Sequence, residues 1–185
     1  MSIRKTALAV TVLGILGSAS ATAAPIQFAG NGHWYEFVST QVTAQQAFAA
    51  AAAASFMGMP GYLVTVTAGD ENLFVASNVA GGALAWMGGS DAGAPVNQWT
   101  WRVGPEAGQL FSYTNWNGGE PNNLGGEDYV HINWGSLGRW NDHNANQRNG
   151  YVIEYSPQTP PPVPEPGALA LLGLGLAGLG FLRRR

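Results

Sequence analysis

No cysteine occurs in the 185 residues, so disulfides are excluded and stability has to come from packing, with a contribution expected from bound metal. Charge is scarce too. Only 10% of residues are charged, and from position 24 to 164 the bases are Arg102, Arg139 and Arg148 against ten acids, a formal balance of −7. A field of that sign repels nucleic acid and anionic lipid and attracts cations, and three dispersed arginines make no phosphate-binding patch. There is no internal repeat, which at this length favours one domain. Groupings that carry catalysis are missing as well. His33, His131 and His143 lack His-Glu-x-x-His spacing and read as surface or hydrogen-bonded histidines. Trp134-Gly135-Ser136-Leu137-Gly138 lacks the glycine two residues before the serine that a nucleophile elbow needs. Glu127 and Asp128 are adjacent, and such neighbours seldom flank one glycosidic bond. With no nucleophile, base and orienting group together, the chain does not read as an enzyme.

The two ends carry transport information. Arg4-Lys5, an apolar run over 7–16 and the small residues Ala21-Thr22-Ala23-Ala24 form a secretory signal, with cleavage expected after Ala23. The run is too short for the ~20 residues of a membrane span. At the other end a proline-rich linker, 157–162, leads into Val163-Pro164-Glu165-Pro166, an apolar Gly/Ala/Leu stretch over 167–182, and Arg183-Arg184-Arg185. That is a short hydrophobic segment stopped by a positive cluster that stays cytoplasmic. Gly173-Leu174-Gly175-Leu176-Ala177-Gly178 matches dinucleotide-loop spacing, but it lies in this apolar run with no preceding strand or following acid. One domain, 24–156, remains between the ends.

Within it, 32–38 reads as a strand. Thr43 then caps a helix predicted over 44–57, where the alanine run 49–54 has the highest helix propensity. Residues 58–61 stop it, a strand follows over 62–66, and a second helix over 70–76 starts with acids in its first turn. A strand over 83–88 precedes about fifty residues in which glycine, asparagine and tryptophan punctuate short apolar pieces, a pattern of functional loops. The alternating strand 151–155 closes the domain and is expected to pair near the first. Seven tryptophans, Trp86, Trp99, Trp101 and Trp116 among them, suit large core anchors better than sugar platforms.

The loop region gathers oxygen. Glu120, Asn122, Glu127, Asn141 and Asp142 supply a mixture of carboxylate and carboxamide donors with three negative charges, and a hard cation taking six to eight oxygens, calcium above all, suits that set. Glu120 and Asn122 are two apart, so both can face one ion across Pro121.

Read together, Tyr62-Leu63-Val64-Thr65 before Glu71-Asn72, Trp86-Met87-Gly88-Gly89, Trp99-Thr100-Trp101, Tyr113-Thr114-Asn115-Trp116, Glu120-Pro121-Asn122, Trp140-Asn141-Asp142 and Gly150-Tyr151-Val152-Ile153-Glu154-Tyr155 follow one another as in C-type lectin-like domains, which the chain resembles over 34–155. The resemblance implies an α+β fold of two helices, small antiparallel sheets and a long calcium-binding loop region, with a cis bond before Pro121. It implies that Glu120, Asn122, Glu127, Asn141 and Asp142 hold both Ca2+ and a sugar. The acid-then-amide order looks like the mannose, glucose or N-acetylglucosamine type, with equatorial 3- and 4-hydroxyls. An auxiliary calcium would draw on Asp91, Asn123, Glu127 and Asp128, although Pro95 stands where another acid is expected. Ile153 and Tyr129 occupy positions where the family commonly carries a disulfide. Residues 163–185 resemble the PEP-CTERM tail of Gram-negative bacteria, which implies signal peptidase and exosortase as processing partners and a surface or extracellular destination. The tail's membrane contact is transient, or retained if the tail stays as an anchor. The expected partner is a glycan or exopolysaccharide; the other reading is a calcium-stabilised structural or protein-interaction module of the extracellular matrix that binds no sugar.

Overall fold

The computed structural model describes residues 24–157; the export signal, the sorting tail and all but the first residue of the linker lie outside them. The described elements run β1 (Ile26–Gln27), β2 (Trp34–Val42), α1 (Ala44–Ala53), β3 (Ser55–Phe56), β4 (Met59–Leu63), α2 (Gly69–Phe74) continued by a π-helical turn (Val75–Val79), β5 (Ala85–Ser90), β6 (Thr100–Trp101), β7 (Tyr129–Ile132), β8 (Trp140–His143) and β9 (Asn149–Tyr155).

Thr43 caps α1 as expected, and the cap is reciprocal. Gln46 N donates to Thr43 Oγ1 at 3.4 Å while Thr43 N donates to Gln46 Oε1 at 3.1 Å. The helix is shorter than its alanine content predicts, ending at Ala53 instead of 57. Ala54 is extended, and Met57 and Gly58 take φ of 50° and 79°, the left-handed pair that a two-residue hairpin turn requires. Pairing of β3 with β4 therefore overrides helix propensity in this stretch.

The sheet runs β1-β2-β9-β5-β7-β8, with β4 also paired to β9 and β6 to β5. As expected, β9 pairs antiparallel with β2, from Trp34↔Tyr155 to Val38↔Tyr151. The two helices and mostly antiparallel pairing are those of the expected α+β fold, and one parallel pair, β5 with β9, Ala85 opposite Gly150, joins the strands into one mixed sheet. Parallel neighbours need a long crossover. Here residues 91–148, the loop-rich stretch, are that crossover, so both ends of the candidate site region are fixed to central strands.

Apolar residues pack in two clusters. Ala44, Ala47 and Ala51 lay the small-residue face of α1 on Leu63, Trp86, Ile153 and Tyr155, and Tyr129 packs at the edge of the same cluster. Apolar contact thus occupies the places of the missing disulfide. The other cluster holds Trp99, Trp101 and Trp140 together with Tyr35, Met87 and Val152 under the loops. Trp86, Trp99 and Trp101 are core residues, as expected, while Trp116 is half-buried. Gly88 is required by close approach, since a Cβ there would meet Leu63 O at 2.6 Å and Val103 Cγ2 at 2.9 Å.

Buried acids tie the N-terminal segment to the sheet. Glu154, 1% exposed on β9, receives His33 Nδ1 on Oε1 at 2.5 Å and Thr65 N on Oε2 at 3.0 Å. Glu71 accepts from Tyr35 Oη at 2.6 Å, from Asn31 Nδ2 at 3.0 Å and from Thr67 N at 2.7 Å. The bond to Glu154 holds the His33 pKa above the usual imidazole value, against the opposing pull of burial, and burial pushes the Glu154 carboxyl up.

Two outcomes follow. Gly88→Ala should lower unfolding free energy by roughly 1–3 kcal/mol in urea titrations, because backbone must move to admit the methyl. The His33 contribution is fully present below its unfolded value of about 6.5 and is lost as pH rises through the raised folded value, so between about pH 6 and pH 9 the melting temperature of the wild type should fall more steeply than that of His33→Gln.

Candidate functional site

The β7–β8 hairpin supplies one wall, in the register Tyr129↔His143, Val130↔Asp142, His131↔Asn141, Ile132↔Trp140. Just before it, the chain is bound to β8 from outside: Trp140 N donates to Asn115 O at 3.0 Å and Asn117 N to Trp140 O at 2.8 Å. Glu120 N closes a turn onto Asn117 O at 3.0 Å, and the Glu120–Pro121 peptide is cis. The segment then folds onto Asp142, which is fully buried. Asn122 N donates to Asp142 Oδ1 at 3.2 Å and Asn123 N to Oδ2 at 2.7 Å. Asn122 Oδ1 accepts from Leu124 N at 2.8 Å, and Asn123, at φ 51°, accepts Glu127 N on Oδ1 at 2.8 Å. These side-chain turns return the loop toward the hairpin.

Of the five residues proposed from sequence, Glu120, Asn122 and Asp142 are therefore brought together directly. Glu127 joins them through Asn123, and its Oε1 lies 3.2 Å from His143 Nδ1. Asn141 is adjacent on β8, but its Nδ2 is turned inward to His131 Nε2 at 3.1 Å and to the Asp142 carbonyl. Because a carboxamide is planar, that orientation directs Oδ1 away from these partners.

The electrostatics are those of crowded anions. The Glu120 pKa is raised, first by burial, then by the negative charges of Asp142 and Glu127, and its Oε2 is buried without a hydrogen-bond partner. Burial and then the neighbouring His143 push His131 down to about 3, so the ring is neutral. Its Nε2 then accepts from Asn141 and the proton resides on Nδ1, which has no partner. Among the described residues no three His, Cys, Asp or Glu side chains converge closely enough to hold a metal alone. A cation here has to draw on carboxamide or main-chain oxygens as well. The donors present meet that demand: all are hard oxygens, and one buried carboxylate oxygen lacks a partner, so the set fits calcium.

The auxiliary set is partly assembled. Asp91, 5% exposed at the end of β5, accepts Asn97 N on Oδ2 at 2.8 Å, and its Oδ1 is buried without a partner. Asp91 N donates to Asp128 O at 3.3 Å. Burial raises the Asp91 pKa, and the charges of Asp128 and Asp142 add to it. Asn123 contributes its Oδ1 to the Glu127 turn instead.

Sequence reasoning set the histidines aside, and two of them support the site. Both are hydrogen-bonded, His131 fully buried behind Asn141 and His143 against Glu127. The cross-strand register of the hairpin is the signal that pairs His131 with Asn141. Also unanticipated is an open groove of about 650 Å³ beside Pro121, walled by Trp99, Phe111 and Trp116.

Comparison with known proteins agrees with this architecture. Residues 162–185 match the PEP-CTERM protein-sorting motif, one residue earlier than the sequence boundary. The chain is 37% identical over 135 residues to halomucin of Haloquadratum walsbyi, covering 68% of the chain but 1% of that protein. It is 46% identical over 72 residues to ladderlectin of Oncorhynchus mykiss, covering 38% of the chain and 35% of that protein. Among solved structures it is similar to the C-type lectin CEL-I from Cucumaria echinata, at TM-score 0.57 and 27% identity over 67% of the chain and 90% of that one. A herring type II antifreeze protein has the same fold at TM-score 0.57 and 20% identity, over 72% of the chain and 97% of that one. The chain thus has the C-type lectin-like fold and ends in a sorting motif that marks it for export and surface association. The lectin-type fold and the lectin-named relatives are those of non-enzymatic families.

Glu120→Gln removes a buried, unpartnered anionic oxygen. In chelator this variant should melt higher than the wild type, and on adding calcium it should gain less, both read by differential scanning calorimetry.

Proposed function

We propose that this protein is a calcium-dependent lectin, exported and held at the surface of a Gram-negative cell, that binds sugars with neighbouring equatorial 3- and 4-hydroxyls, of the mannose, glucose or N-acetylglucosamine type. The observation that carries the reading is the seating of the Glu120-Pro121-Asn122 segment on Asp142 by two main-chain hydrogen bonds, with Glu120 Oε2 left unpartnered in a site of like charges.

The residues divide the work by their chemistry. Glu120, Asn122, Glu127, Asn141 and Asp142 are the ion's holders, and calcium held there supplies a centre of hard positive charge for neutral hydroxyl oxygens. The Glu120 and Glu127 carboxylates accept hydrogen bonds from sugar hydroxyls and the Asn122 amide donates to the same hydroxyls, while Asn141, whose N–H groups are held by His131 and the Asp142 carbonyl, offers its Oδ1. His131 behind Asn141 and His143 beside Glu127 fix the orientation of those two groups. Asp91 and Asp128 are the auxiliary ion's holders, stiffening the loop between β5 and β6. The groove beside Pro121 leaves room for further units of a polysaccharide. Contacts of this kind are weak one at a time, so useful affinity comes from many sites on one polymer.

A second reading has its own observation. Asn122 Oδ1 and the Asn141 amide are already engaged within the chain, which suits a module whose loops calcium stiffens and to which no sugar docks, and the antifreeze protein shows that the fold is not confined to lectins.

Isothermal titration of mannose and N-acetylglucosamine separates the two. The lectin reading expects binding that requires calcium and vanishes in chelator. A calcium-raised melting temperature with no heat from any sugar supports the stiffened module, and sugar binding that survives chelation contradicts the mechanism. Exchanging the acid–amide order, Glu120→Gln with Asn122→Asp, should move the preference toward galactose in the same titration.

A further inference from the structure

The acids of this domain are unevenly placed. From 37 to 69 there is no charged residue at all. That stretch holds α1 and the β3–β4 hairpin, whose apex residue Met57 is 75% exposed. Aromatic rings form the base of the hairpin: Trp34 and Phe56 lie 5.1 Å apart and Phe56 and Tyr155 5.7 Å apart, centroid to centroid. Trp34 and Phe56 are only half-buried. The hairpin is thus a neutral projection with a flexible thioether at its tip and a tryptophan at its shoulder, the composition favoured where protein meets a lipid headgroup region.

Its place along the chain gives the composition a use. Tyr155, the last residue of β9, pairs with Trp34 on one side and with Gly61 of β4 on the other. The chain therefore leaves the domain at the hairpin's base. Eleven residues, 156–166, separate this exit from the apolar stretch of the sorting tail, a reach of at most about 40 Å even fully extended. The candidate sugar site is at the other end of α1. Ala44 N donates to Ala145 O at 3.3 Å and Gln45 Nε2 to Tyr129 Oη at 3.2 Å where the helix begins, and its ten residues carry the chain about 15 Å before the hairpin starts.

We propose that the tip of the β3–β4 hairpin is a membrane contact that seats on the lipid interface while the sorting tail is still attached. Met57 and Phe56 enter the headgroup region, Trp34 anchors beside them, and the acidic loops face away from the bilayer. One apolar tip binds weakly by itself, so the contact depends on the high local concentration that the tail imposes. Its role is to orient the tethered lectin, ligand side outward, and it is lost once the tail is removed. The inference rests on the tail acting as a membrane segment, and not on sugar binding.

The absence of cysteine makes the test direct, because one introduced thiol reports one place. Residues 24–185 carrying a spin label at Met57→Cys, at Ser55→Cys beside an intact Met57, or at Leu124→Cys are reconstituted with phosphatidylethanolamine–phosphatidylglycerol vesicles. Leu124 is 78% exposed in the loop region and serves as the distant reference. Labels at 55 and 57 should lose collision with a water-soluble nickel chelate by roughly fivefold on vesicle binding, while the label at 124 stays open. Equal access at all three in vesicle-bound protein overturns the proposal. So does protection at 57 in lipid-free buffer, which assigns the tip to the chain's own tail or to a second copy. A chain that does not partition onto vesicles removes the tail reading and this contact together.

Discussion

Both oxygens of Asp142 are occupied by main-chain N–H groups of the loop that precedes β7. This one residue, buried on a sheet strand, sets where Glu120 and Asn122 stand, and through Asn123 where Glu127 stands. A carboxylate that accepts two main-chain donors is fixed more firmly than one meeting flexible side chains, since nothing at the donor end has rotamers to lose. The loop is therefore positioned by backbone, and the side-chain oxygens it carries are left for other partners. Asn122 and Asn141 spend part of their capacity locally, but Glu120 Oε2 does not.

That clamp matters more here because covalent support is absent. In place of disulfides the domain uses a parallel crossover anchored to the two middle strands, an aromatic cluster of three nearly buried tryptophans under the loops, and the acids Glu71 and Glu154 satisfied by His33, Asn31, Tyr35, Thr65 and Thr67. The acids at the loop end remain short of counter-charge. Burial combined with like charges raises the carboxyl pKa values of Glu120 and Asp91. On the proposed reading stability and binding are one problem: the charges that would attract an ion also make the loops costly to hold without it.

What could be read from sequence was what depends on neighbouring residues. Thr43 with Gln46 announces a helix start, the alternation Tyr151 to Tyr155 announces a strand, and Glu120, Asn122 and Asp142 announce themselves by oxygen content in a chain poor in charge. What could not be read depends on distant pairing. The alanine run promises helix to 57, yet Met57 and Gly58 turn a hairpin because β4 finds β9. The parallel contact of β5 with β9 leaves no local trace in either strand. Asn141 is identifiable as a donor, but its rotation toward His131 follows from a cross-strand register, and the same register makes a buried support of a histidine that motif spacing dismisses.

The most direct measurement is a crystal structure of residues 24–157 grown with calcium and N-acetylglucosamine, with the ion located by anomalous scattering. The account predicts one ion touching Glu120, Asn122, Glu127, Asn141 and Asp142, with two adjacent sugar hydroxyls completing its shell. No ion at these five side chains, or one whose shell they and water close with the sugar excluded, would contradict it.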